Sequence, residues 1–165
     1  LRAAIDLAVG RRPSAKVAVV AFSMGASTAI LAGAGDARVD AFVLDSPFAT
    51  MGDVVAANYR RHRLPSRPIL PLADLVNRLR YGYSYAQVRP LDAIARLAPR
   101  PVLLLHGDRD RVIPYAHAEQ LADAAGPGCT FVTFPGADHC GGYFEDRPGY
   151  SARVNSFLRG RGAHA

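Results

Sequence analysis

Three short segments of this sequence carry residue types that can activate a hydroxyl group. The first is Ala21-Phe22-Ser23-Met24-Gly25. It follows the apolar run Val17 to Ala21 and precedes an Ala-rich helical stretch, Ala26 to Ala34, closed by Gly35. A serine in a sharp strand-to-helix turn is held in a strained backbone conformation with its hydroxyl pushed out beyond the sheet. The residues two before and two after it must be small where helix and strand approach closely. Gly25 meets this demand, and Ala21, standing where glycine is commoner, is still small. Ser23 is the candidate nucleophile; Ser27 and Ser46 do not occupy the turn.

The second segment runs from His106 through Gly107, Asp108 and Asp110 to Pro114, directly after the apolar run Val102 to Leu105. The third is Pro135 to Cys140, containing His139, directly after Thr130 to Phe134. Read singly, each has an ordinary explanation: Asp and Gly punctuate turns readily, and a histidine in a Gly-rich loop is a common surface residue. A metal site in the second segment would need an ordered ligand spacing that is lacking. The order Ser23, Asp110, His139, each after a separate apolar run, favours joint chemistry. Asp108, and Asp45 at the end of Val39 to Leu44, compete with Asp110 as the acidic member.

Four elements must position these loops. Nearly continuous apolar runs of this length predict parallel strands buried on both faces. Between them lie helical patterns, one ending at Gly126 and Pro127, and a last helix with Tyr150, Val154, Phe157 and Leu158 on one face. Strand and helix in alternation predict an α/β fold, a mostly parallel sheet of about four strands with flanking helices. The interval 49–99 breaks the rhythm. It is too long for a simple connection, and Leu72, Leu75, Val76 and Leu79 have amphipathic spacing, so we expect a helical cap-like insertion.

At 165 residues and 50% hydrophobic content, the chain fits one domain, 1–165, with a real core. Lys16 is the only lysine among 20 basic residues, and the formal net charge is +6. The dense cluster Arg60, Arg61, Arg63 and Arg67 lacks the interleaved aromatics of a nucleic-acid surface and reads as a solvated face. No run reaches the roughly 18 apolar residues of a membrane helix. Cys129 and Cys140, at opposite ends of an expected strand, are too far apart to bridge and favour a reducing, cytoplasmic setting.

The segments Phe22 to Gly25, Leu44 to Phe48, His106-Gly107 with Asp110 and Pro114, and Gly136 to His139 resemble the α/β-hydrolase superfamily. The likeness is to the C-terminal portion of its dienelactone-hydrolase-like and prolyl-oligopeptidase-like branch. The resemblance implies Ser23 as nucleophile, His139 as general base and then acid, and Asp110 as the group that orients the imidazole. It implies the backbone amide of Met24 as one oxyanion donor, no cofactor and no metal. The substrate implied is a small ester or related acyl compound. Phe48, Tyr143 and the segment Tyr81 to Tyr85 are candidates to line its site, with packing in the core the equal alternative for aromatics in such loops.

Two other functions fit the same residues: a serine peptidase of the prolyl-oligopeptidase type, and a non-catalytic interaction domain. The chain opens at Leu1 without Met, and at roughly 30 residues per βα unit the resemblance leaves about 100 residues of the family's sheet unaccounted for. The second oxyanion donor would come from there. Taken alone, the chain is therefore expected to be a poor catalyst and to self-associate along residues 17–22, an apolar edge guarded only by Lys16.

Overall fold

The computed structural model describes residues 1–63 and 66–160. Four strands form one sheet in the order β1 (Ala18–Phe22), β2 (Ala41–Asp45), β3 (Val102–Gly107) and β4 (Cys129–Phe134), with every neighbouring pair parallel. Parallel neighbours need crossover connections. These are α2 (Ser23–Gly33) between β1 and β2; α3 (Met51–Arg61), α4 (Ser66–Tyr81) and the short α5 (Leu91–Ile94) between β2 and β3; and α6 (Ala116–Ala125) between β3 and β4. Helix α1 (Arg2–Arg11) precedes the sheet, while α7 (Gly142–Glu145) and α8 (Arg147–Arg159) follow it.

The apolar runs become strands because both of their faces are covered. Along β2 and β3 every residue is buried. Successive side chains point to opposite faces: Phe42, Leu44, Val102 and Leu104 enter one core with residues of α2, α5 and α6, whereas Val43, Leu103 and Leu105 enter a second core under α8. There Phe134 and Tyr150 stack at 5.5 Å, and Val154, Phe157 and Leu158 pack around them. That face of α8 is the one the sequence spacing marked. Helix α8 starts where Asp146 caps it by accepting from the Gly149 amide at 2.9 Å. Helix α6 stops at Gly126, whose φ of 73° favours glycine.

β1 is the edge of the described sheet and is the most exposed strand, with Val20 and Phe22 about half accessible. Among the described residues, no helix is long and apolar enough to cross a membrane.

The insertion is helical, as its periodicity implies, but α4 is turned the other way round from an ordinary amphipathic helix. Leu72, Leu75, Val76 and Leu79 are 50 to 80% exposed, and the inward side carries Asn77 and Asp74. The Asn77 side-chain amide donates to the Tyr83 carbonyl at 2.6 Å, and Asp74 accepts from the Tyr85 amide at 2.6 Å. These two bonds fasten the loop after α4 to its polar side and leave the leucines outside.

Since all strands run the same way, their carboxyl ends meet along one edge, where loops converge on a crevice. Gly107, the last residue of β3, sits tightly against the loop after β4: a Cβ there would lie 2.2 Å from the Ala137 carbonyl oxygen. Neither partner is the end of a flexible side chain, so one backbone must move. We predict that Gly107→Ala lowers stability by about 1–3 kcal/mol. A urea midpoint unchanged from the parent would show that the two loops have slack.

Candidate active site

Ser23 is the first residue of α2, immediately after β1, and its φ is 52°. A non-glycine residue in that region is strained, and the strain turns the chain sharply from strand into helix. Gly25 departs from the sequence argument: a Cβ there would meet nothing within 4 Å. β1 is the edge of the described sheet, and Gly25 lines a groove there with Val20, Phe22, Met24 and Thr28. Met24 lies in the first turn of α2, where backbone amides have no intrahelical acceptor.

His139 stands between Ser23 and Asp110. Its Nε2 lies 2.8 Å from Ser23 Oγ and its Nδ1 lies 2.7 Å from Asp110 Oδ2. An ionised carboxylate only accepts, so Nδ1 carries hydrogen, and in the neutral ring Nε2 is the free lone pair facing the serine hydroxyl. A hydroxyl, an imidazole and a carboxylate in this series can pass a proton from oxygen to nitrogen and stabilise the cation that results.

The acid is held more firmly than its loop position suggests. Asp110 Oδ1 accepts from the amides of Val112 and Ile113, each at 2.8 Å. His106 Nε2 lies 3.3 Å from Asp110 Oδ2 and 3.0 Å from the Ile113 carbonyl oxygen. Both are acceptors, so His106 Nε2 carries hydrogen, and among the described residues the buried Nδ1 has no hydrogen-bond partner. Burial pushes the Asp110 carboxyl up, but the bonds from His106, His139 and the two amides outweigh it and hold it far below the usual range. The bond from Asp110 in turn raises His139 above the ordinary imidazole range, against the effect of burial.

The competing acids are occupied elsewhere. Asp108 accepts from the Gly136 amide at 2.6 Å, tying the loop after β3 to the loop after β4. Asp45 is buried and accepts from Tyr150 Oη and Ser46 Oγ, each at 2.9 Å. Burial raises its carboxyl, as burial beside Asp45 raises the Tyr150 phenol.

Three residues to which the sequence assigns no role in the site also shape it. His106 was a turn former by sequence and is wholly buried under Asp110. Ser46 has a φ of 52° and its Oγ accepts from the Cys140 amide at 3.1 Å, which fixes the residue after His139. Asp138 accepts from the His139 amide at 2.8 Å and from Arg111 Nε at 2.6 Å. The signals for them are position, next to a strand end or a candidate residue, and their place in the segments that carry the family resemblance.

Tyr143 lines an apolar cavity of about 460 Å³ with Phe22, Cys140, Phe144 and Tyr150. Two of these residues adjoin Ser23 and His139 in sequence. Phe48, also a candidate to line the site, is 3% exposed, and its backbone exchanges hydrogen bonds with Ser27 Oγ at 2.8 and 3.2 Å. It is a packing residue that offers substrate little surface. Among the described residues, no group of three or more His, Cys, Asp or Glu side chains could hold a metal ion.

Comparisons with known proteins agree with this architecture. The uncharacterized protein YqkD of Bacillus subtilis is 38% identical over 140 residues, which is 82% of this chain and 45% of that protein. The chain thus spans about half the length of that curated relative. A Pyrococcus furiosus esterase, Pf2001, superposes with a TM-score of 0.73 at 18% identity, over 96% of this chain and 59% of its own. A puromycin-hydrolyzing peptidase of Mycobacterium tuberculosis superposes with a TM-score of 0.61 at 23% identity, over 83% and 21%. The family model described as TAP-like protein matches residues 77–162, so the chain, with its four-stranded parallel sheet, belongs to the α/β-hydrolase superfamily.

Proposed function

We propose that the protein is a serine hydrolase that cleaves carboxylic esters or related acyl bonds through an acyl-enzyme. The observation that carries this reading is His139 bridging Ser23 Oγ at 2.8 Å and Asp110 Oδ2 at 2.7 Å. His139 takes the Ser23 proton as Oγ adds to the acyl carbon, then returns it to the leaving alcohol; water repeats the cycle to release the acid. Asp110 keeps the ring in the Nδ1–H tautomer and stabilises the imidazolium without taking its proton. The Met24 amide, in the first turn of α2, is one donor for the oxyanion, favoured by the positive end of the helix dipole. The cavity beside Tyr143 is the site for an apolar part of the substrate.

Covalent labelling tests the nucleophile. A fluorophosphonate probe is expected to modify Ser23 alone in the full-length protein, and His139→Ala to abolish the adduct. Mass spectrometry that finds the adduct on Ser27 or Ser46 would remove Ser23 from the role. Turnover of a short p-nitrophenyl ester above that of an aminoacyl anilide is expected; the reverse order would favour a peptidase.

A second prediction concerns pH. Only neutral His139 can accept the serine proton, so a raised His139 pKa means that kcat/KM climbs as pH rises through it and falls away on acidification. Asp110→Asn removes the carboxylate that raises it, so the climb moves to lower pH while turnover drops by about 10⁴. A profile unmoved in this variant, with turnover near normal, would place the acid elsewhere, with Asp45→Asn the next variant to measure.

A further inference from the structure

The apolar stripe on α4 is left largely uncovered among the described residues. Leu72, Leu75, Val76 and Leu79 are 61, 50, 52 and 80% exposed. At roughly 100° per residue they fall within one sector of the helix, with Arg80 at one edge and Arg78 at the other. The stripe faces outward because Asn77 and Asp74 hold the opposite side through bonds of 2.6 Å to the loop that follows. Asp74, the only acidic residue of the helix, is thereby turned away from the stripe. Arg60 and Arg63 add exposed positive charge at the junction of α3 and α4. None of these four arginines pairs with a carboxylate among the described residues.

A leucine stripe bordered by arginines is complementary to a surface that is apolar below and anionic above. We infer that α4 is an interfacial helix that docks the protein on an anionic phospholipid membrane surface, lying flat with Leu72, Leu75, Val76 and Leu79 in the acyl boundary. Arg78 and Arg80 lay their alkyl stems along the apolar boundary and keep their guanidinium groups at the phosphates. A second copy of the chain is the poorer occupant, because pairing two stripes brings their arginine borders together without a counter-charge. The inference does not depend on the catalytic reading, since docking needs no turnover.

The test is co-sedimentation of the purified full-length protein with vesicles of equal parts phosphatidylcholine and phosphatidylglycerol, and with vesicles of phosphatidylcholine alone. Preferential binding to the anionic vesicles, weakened by salt, is expected. Leu75→Gln combined with Leu79→Gln should weaken it by roughly a hundredfold, since each buried leucine contributes about tenfold or more. Arg78→Gln combined with Arg80→Gln should weaken it by about 25-fold, at about fivefold per arginine. All four positions are exposed, so the thermal unfolding curve should not move. Absence of vesicle binding overturns the inference, and so does binding that both double variants retain. Sedimentation velocity showing a dimer that Leu75→Gln with Leu79→Gln dissolves, without vesicle binding, would assign the stripe to a second copy instead.

Discussion

A carboxylate buried at the end of a parallel sheet must find enough donors to remain ionised, and the arrangement around Asp110 follows from that requirement. Its side chain is wholly inaccessible. Removing a carboxylate from water costs several kcal/mol unless hydrogen bonds replace the lost hydration. Two backbone amides bind one oxygen, and His106 and His139 approach the other. The amides of Val112 and Ile113 can reach it only because the chain folds back on itself after Asp110. The loop's shape and the acid's charge are therefore one feature. His106 contributes from near the end of β3, where its Nε2 reaches both Asp110 Oδ2 and the Ile113 carbonyl oxygen.

The histidine loop is positioned with comparable care, by contacts from the loops that follow β3 and β2. From β3 come the close approach of Gly107, the bond from Gly136 to Asp108, and the Arg111 and Asp138 pair. From β2 comes Ser46 Oγ, which accepts from the Cys140 amide while donating to Asp45. The Arg111 and Asp138 pair is largely solvated and contributes little energy by itself. Its value is geometric, because Asp138 binds the amides of both Arg111 and His139, one in each loop. Positions along β1, β3 and β4 are fixed by the ladder, so tying these loops together sets the His139 ring against Ser23 with little freedom.

Most of this framework was legible in the sequence because its causes are local. Val102 to Leu105 is apolar at every position, and a short run of that kind with Gly and Asp after it has few alternatives to a buried strand. Ser23, Asp110 and His139 were legible for the same reason, each lying just past such a run. Phe48 is undecided in the sequence because an aromatic residue after a strand can turn toward the crevice or into the core. Its direction was decided by Ser27 on α2, a distant partner. The outward leucines of α4 show the same limit: the spacing implied a helix, but which side faced inward was set by Asn77 and Asp74 binding the loop at Tyr83 and Tyr85. His106 and Ser46 owe their importance to contacts 4 to 94 residues away, and periodicity carries no record of such contacts.

Asp45 and Asp110 illustrate how far environment separates two identical side chains at one sheet edge. Asp45 receives two hydroxyls, from Ser46 and Tyr150, and its carboxyl is raised because burial outweighs them. Asp110 receives two amides and two imidazoles and is lowered despite burial. A carboxylate that orients and balances an imidazolium must stay charged across the pH range in which the imidazole titrates. Divergent environments of this kind are what separate the roles of paired titratable groups. In the mechanism proposed above, Asp110 meets this demand because its four donors lower its carboxyl despite burial. Asp45 does so less easily, and its oxygens are already bound to Ser46 and Tyr150, which join the end of β2 to the start of α8. Moving the acid to β2 would require breaking that link, loosening the helix that covers the second core, so the donor set around each carboxylate ties the choice of acid to the packing of the sheet.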